Sequence, residues 1–298
     1  MSLPPELVVA LTGELGGSVR AGPAASGGCI HHALRLETPA GPLFCKWNRG
    51  DAGAAFGAEA RGLEALTHAT RDAELRIPRV VSWRDAEGDA PGWLVLEYLP
   101  PSAEGSDYDE RLGRGLATLH APLAPPWGWG ETNRIGSLPQ SNPEHERWAD
   151  FWREARLLPQ ISMAVEAGLL RGEAHQVVGD AVTHTETLLT DVEDDGPAVV
   201  HGDLWAGNVH AGPDGAPVLV DPATYHGHRE VDLAMADLFG GLSARARTAY
   251  EAARPLVPGY SRRRPLYQLY YLLVHLNLFG TGYLGACVRA ARESLADR

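Results

Sequence analysis

The chain has 298 residues, 44% of them hydrophobic and 21% charged, a composition that folds rather than stays disordered and a length that suits one large domain or two modest lobes. A formal net charge of −12 argues against nucleic acid or an anionic membrane surface as the main partner. Three cysteines without paired spacing give neither a disulfide framework nor a zinc site. The opening MSLPPELVVALTGELGG lacks the basic and long apolar regions of a secretion signal, so a reducing cytoplasm is the expected compartment.

In chain order, HHALRLET (31–38) and PLFCKWN (42–48) read as short strands joined by a tight PAG turn. Between Asp51 and His68, Phe56, Ala60, Leu63 and Leu66 recur at nearly helical spacing. RIPRVVSWRD and WLVLEYLP (93–100) add two strands, and Pro100–Pro101 stops the second. Beyond it come helical patterns: YDERLGRGLATLH (108–120), RWADFWREARLLPQ (147–160) and LYQLYYLLVHL (266–276). Arg262, Arg263 and Arg264 ahead of Pro265 read as a solvated helix start. The apolar stretch 266–288 is interrupted by Gln268, His275 and Asn277 and reads as a buried helix, not a membrane span. The expected fold class is α+β, with a small β-rich lobe over 1–99 and a larger, mainly helical lobe over 100–298.

The chemistry concentrates in VVHGDLWAGNVHAGPDGAPVLVDPATYHGHRE (199–230). A hairpin turning at GPDG would bring Asp203, Asn208 and Asp221 together. Asp203 and Asn208 stand in the form H-x-D-x-x-x-x-N, the spacing of a kinase catalytic loop. In that arrangement one Asp takes the proton of the attacking hydroxyl, while the Asn and a second Asp hold Mg²⁺ on the ATP phosphates. His201 is expected to brace the loop.

Lys46 is the only lysine in the chain. A compact ammonium on a strand, held by a helix glutamate, suits the α/β-phosphates; Glu59 is the expected partner and Glu64 the fallback. Gly27 and Gly28, one hairpin upstream, would form a phosphate-covering turn, though two glycines serve any tight turn equally. Glu97, Tyr98 and Leu99 stand where a hinge would offer backbone hydrogen bonds to adenine.

HGDLWAGN, DPATYHGHREVDLAMADLFGG, SGGCI, FCKWN, IGSLPQSN, RLLPQ and LNLFGTGY together resemble the fructosamine kinase (ketosamine 3-kinase) family, a branch of the aminoglycoside and choline kinase-like fold. The resemblance runs from about Gly27 to Tyr283. It implies a protein-kinase-like two-lobe fold, with Asp203 as base, Asn208 and Asp221 as Mg²⁺ ligands, and Lys46 with Glu59 as the phosphate-positioning pair. Trp205 would face the substrate, where an indole can stack on a sugar or amine substituent. The implied reaction moves the ATP γ-phosphoryl group to the 3-hydroxyl of a small-molecule or protein-bound ketoamine, ribulosamine before fructosamine, and so leads to deglycation.

His31 and His32 depart from the expected pattern after GGCI; adjacent strand residues point to opposite faces, so they would not share a metal. Cys29 in the glycine-rich turn is a candidate redox thiol, compatible with a monomer or a redox-linked dimer. Two alternatives stand beside the ketosamine reading: another small-molecule kinase of the same fold, and a nucleotide-binding pseudokinase.

Overall fold

Residues 3–24 and 31–296 are described by the structure, a computed structural model. Gly27, Gly28 and Cys29 lie outside the described residues. The N-terminal region is built on five strands, β1 Arg20–Ala24, β2 His32–Thr38, β3 Gly41–Asn48, β4 Val80–Arg84 and β5 Gly92–Glu97, in an antiparallel sheet of order β1-β2-β3-β5-β4. Alternation along β3 sends Cys45 and Trp47 to one face of this sheet, where Leu7 and Leu11 of helix α1 (Pro5–Glu14) pack on Leu34, Leu36, Trp93 and Val95. Lys46 therefore points to the other face. There helix α2 (Phe56–Ala69) lays Phe56, Ala60 and Leu63 on Leu94 and Leu96 of β5.

Leu66, one turn further along α2, belongs instead to a second cluster with Leu112 and Leu116 of helix α3 (Tyr108–Leu119), Leu204 and Leu219. α2 is thus shared between the sheet and the helical region that follows. The largest core lies in that region and is aromatic: Trp148, Trp152, Tyr225, Tyr267 and Tyr270 are buried together, and the Trp148 indole N–H donates to Tyr267 Oη at 3.1 Å. Its helices are α4 (Leu158–Glu166), α5 (Gly172–Thr183), α6 (Glu230–Phe239), α7 (Ala244–Ala253), α8 (Tyr260–Phe279) and α9 (Leu284–Leu295).

Three two-stranded ladders decorate it. β6 (Asn133–Ile135) pairs with β7 (Leu138–Gln140), β8 (Ala198–Val200) with β11 (Tyr225–Gly227), and β9 (Val209–Ala211) with β10 (Pro217–Leu219). The hairpin expected around GPDG is the β9–β10 pair, with Asp214 and Gly215 at positive φ in its turn.

Two local expectations are corrected. The triple arginine lies in the first turns of α8, which begins at Tyr260, with Arg262 and Arg264 exposed as expected, but Arg263 is buried, clamped bidentate onto the Glu230 carboxylate at 2.7 and 2.8 Å. The helix expected over 147–160 is interrupted, with Trp152–Leu157 wound as a π-helix before α4. Among the described residues no helix is long and apolar enough to cross a membrane.

Candidate active site

The catalytic-loop segment His201–Asn208 hangs between β8 and β9, and buried side chains fix it from below. Asp232 of α6 accepts the backbone N–H groups of His201 at 2.7 Å and Gly202 at 2.8 Å, one on each carboxylate oxygen. His120 Nε2 lies 3.1 Å from the same carboxylate, and its Nδ1 lies 3.0 Å from Tyr250 Oη. Burial holds the His120 imidazole below its usual range, hence neutral; Nε2–H then donates to Asp232 while Nδ1 accepts from Tyr250.

His201 does brace the loop. Its neutral ring donates from Nε2 to Val220 O at 3.0 Å and accepts the Asp203 N–H on Nδ1 at 3.3 Å. Gly202 is required here, because its φ is +80° and a Cβ would stand 2.2 Å from Ala223 O.

Asp203 follows this turn. Burial pushes its carboxyl up to about 7, with Asp221 and Asp232 adding to the rise and a hydrogen bond from Asn208 opposing it. Asn208 Nδ2 donates to both the backbone O (2.9 Å) and Oδ2 (3.0 Å) of Asp203, which turns the Asn208 amide oxygen away from that contact.

Lys46 meets two carboxylates from different parts of the chain, Glu59 of α2 at 2.7 Å and Asp221 at 2.5 Å. Glu64 is exposed, so the expected partner is the observed one. Burial alone would lower the Lys46 pKa, but Asp221 and Glu59 outweigh it and keep the ammonium charged. Asp221, the nearer partner, is held below its ordinary range by Lys46 against the cost of burial, whereas burial pushes Glu59 up. Asp221 itself sits at φ +55°, a conformation that costs energy for a non-glycine residue and that recurs at functional sites.

Trp205 is not a core tryptophan: it is 40% exposed, and its ring lies over Gly207, where a Cβ would come within 2.3 Å of the indole. In the segment expected to be the hinge, the Glu97 N–H donates to Arg79 O at 2.9 Å, so that donor is not available to a base. Leu99 and Glu97 also line a cavity of about 280 Å³ with Thr67, Thr70, Arg71 and Arg76. None of Lys46, Asp203, Asn208 or Asp221 reaches it.

A second network stands out only in three dimensions. Arg156, in the π-helix, is fully buried with no carboxylate partner among the described residues; its guanidinium stacks 4.0 Å from the Tyr225 ring centroid and donates to Asn142 Oδ1 at 2.5 Å. Asn142 and Gln140 both donate to Asn133 Oδ1, Gln140 also to Ala223 O, and Asn133 to Thr224 O. The β6–β7 hairpin is thereby fastened to the backbone just past Asp221.

This arrangement, a lysine of β3 paired with a glutamate of α2 beside an Asp, an Asn and a second Asp on two adjoining loops, is that of a phosphotransferase. The fructosamine kinase family pattern matches residues 12–297. The chain belongs to the fructosamine kinase family. Among relatives of this fructosamine kinase-family protein, a Synechocystis sp. protein named as a probable ketoamine kinase is 42% identical over 87% of this chain and 84% of its own. The chloroplastic protein-ribulosamine 3-kinase of Arabidopsis thaliana is 34% identical over 91% of this chain and 80% of its own. The crystal structure of a candidate fructosamine-3-kinase from Thermobifida fusca superposes with a TM-score of 0.85 at 35% identity, covering 97% of this chain and 98% of the other. The aminoglycoside phosphotransferase APH(4)-Ia, at 15% identity and TM-score 0.60 over 97% of this chain and 98% of its own, shares the fold, which is therefore protein-kinase-like.

Proposed function

We propose that this protein transfers the γ-phosphoryl group of ATP to the 3-hydroxyl of a ketosamine, with Asp203 as the base, and that the resulting phosphate ester releases the amine. The observation that carries the phosphotransfer reading is the meeting of Lys46 with Glu59 and Asp221 beside Asp203. The ketosamine as acceptor follows from membership of the family and from the names of its relatives.

Asp203 is suited to take a proton because its carboxyl titrates near neutrality, where a base combines adequate strength with a large ionised fraction. Asn208 fixes one of its oxygens, leaving the other for the acceptor hydroxyl. Asn208 and Asp221 offer an amide oxygen and a carboxylate, hard donors that fit Mg²⁺ when phosphates and water complete its shell. Asn208 and Asp221 would hold that ion, whose positive charge would offset that of the β- and γ-phosphates. Lys46, held by Glu59, would orient the phosphates, and the backbone at Tyr98 and Leu99 would receive the adenine.

On the acceptor side Trp205 presents its indole to solvent two residues past the base. Gly241 lies against the Trp205 backbone and Gly240 against Ala206, and next in the chain Phe239 stacks on His275 at 4.4 Å near Phe279, which is 61% exposed. An aromatic face of this kind suits a sugar ring and the ammonium of its amine. The lobes would divide at 99/100, with the reaction in the cleft between them.

The test is ADP release from Mg-ATP with ribulosamine, fructosamine, aminoglycoside and choline acceptors, for wild type and Asp203→Ala. Ketosamine-dependent turnover that falls about 10² to 10⁴-fold in the variant supports the reading, with ribulosamine ranking above fructosamine. Turnover confined to another alcohol would sink it.

A further inference from the structure

The β2–β3 register pairs His32 with Trp47 and Ala33 with Lys46. Cross-strand partners share a face and neighbours alternate. His32 accordingly stacks on Trp47, ring centroids 4.4 Å apart, on the outer face, while His31 falls on the inner face with Lys46. Its ring lies 4.9 Å from that of Phe56, the first residue of the helix that carries Glu59. Its Nδ1 is buried and has no hydrogen-bond partner among the described residues.

An unpaired buried ring nitrogen costs stability unless something visits it. Here the surroundings specify the visitor. Burial, Lys46 and Arg134 press the imidazole toward its neutral form, down to about 4, against an opposing pull from Asp221. The neutral ring holds its one N–H on either nitrogen, and in the Nδ1–H tautomer the unpartnered atom is a donor within the electrostatic reach of Lys46 and Asp221. The group that a kinase brings to that place is a phosphate oxygen.

We propose that His31 is a further nucleotide-positioning residue, donating from Nδ1–H to an oxygen of the β- or γ-phosphate on the Lys46 side. The proposal rests on the nucleotide reading of the Lys46–Asp221 site. Its contribution is steric and directional: with Phe56 setting the ring plane, His31 marks the phosphate end of the cleft and gives no contact to the α-phosphate or the nucleoside.

The experiment measures calorimetric binding of a non-hydrolysable Mg-ATP analogue and of AMP to the full chain. His31→Leu keeps the packing on Phe56 but removes the donor; His31→Asn returns an amide N–H at the position of Nδ1. Thermal unfolding checks that both variants fold, and Asp221→Asn serves as the control for the site. The expected result is analogue binding weakened about tenfold or more by Leu, AMP binding within about twofold of wild type, and most of the loss restored by Asn. His31→Leu binding the analogue like wild type, while Asp221→Asn loses its Mg²⁺-dependent affinity, would overturn the role of His31 and leave the site standing. Equal losses for both nucleotides, or Asn as weak as Leu, would reduce His31 to a packing residue. An Asp221→Asn variant that binds the Mg-analogue unchanged would remove the nucleotide reading itself, and this proposal with it.

Discussion

At the scale of single residues, Asp203, the proposed base, is held in a state that costs the fold stability. A carboxyl whose folded pKa is raised from its ordinary value to about 7 favours the protonated folded state, so its ionisation destabilises the fold as pH rises through that range. Asp203→Asn keeps an acceptor for Asn208 and removes the charge. We expect the variant to be inactive yet to melt a few degrees higher than wild type at pH 8, with the gain shrinking at pH 5, where wild-type Asp203 is largely protonated. Differential scanning calorimetry at the two pH values decides this; equal gains would detach the effect from ionisation. For wild type, kcat/KM should fall about tenfold per pH unit below about 7, because the base must be ionised to accept a proton. Asp203 and Lys46 were legible in the sequence, one from the spacing to Asn208 and the other because no second lysine exists. Asp232 and His120 were not, since a buried acid and an imidazole 112 residues apart acquire meaning only from the backbone N–H groups they serve.

The element that carries the proposed base is the short loop His201–Asn208, and its shape is imposed from outside. Two donors on one carboxylate cannot both be kept by an amide: in Asp232→Asn one of the His201 and Gly202 N–H groups loses its acceptor in a fully buried place. We expect a loss of about 1 to 3 kcal/mol, read as a denaturant midpoint, with a fall in turnover because Asp203 is attached to the misplaced turn. Gly202→Ala should be worse, since strain at positive φ adds to the clash with Ala223 O; a variant of near-normal stability and rate would contradict the turn as described. Elements with strong local signals, the hairpin around GPDG and the helix carrying Glu59, fell where their patterns put them. The π-turn at Trp152–Leu157 and the buried Arg263 did not. In both, a distant partner overrides the local rule: Arg156 is drawn into the aromatic core against Tyr225, and Arg263 is neutralised by Glu230, 33 positions away.

Across the whole molecule, the N-terminal sheet and the helical region are joined at charge as well as at apolar contacts. Lys46 lies between Glu59 and Asp221, and two residues past Glu59 the Arg61 guanidinium grips Glu131 at 2.6 to 3.1 Å. The second pair is partly exposed at both ends and worth little to stability. In the first the ammonium is buried between Glu59 and a partly exposed Asp221, and its loss has a definite sign. Lys46→Met would leave two carboxylates without their cation, a cost of about 3 to 5 kcal/mol, on the order of 10 °C in Tm for a chain of this length. In wild type Asp221 is held below its ordinary range, so its contribution is present at neutral pH and fades only as the solution becomes strongly acidic. In the variant Asp221 would instead join Glu59 in titrating above its unfolded value, and the folded state would take up protons first. The gap in Tm between wild type and Lys46→Met should therefore be widest near pH 8 and narrow toward pH 5, when measured in chelator without nucleotide. Added Mg²⁺ should restore part of the deficit at pH 8 by replacing the missing positive charge beside Asp221. A gap that stays constant with pH would mean that Lys46 contributes packing alone, and that the two halves of the molecule are not coupled through its charge.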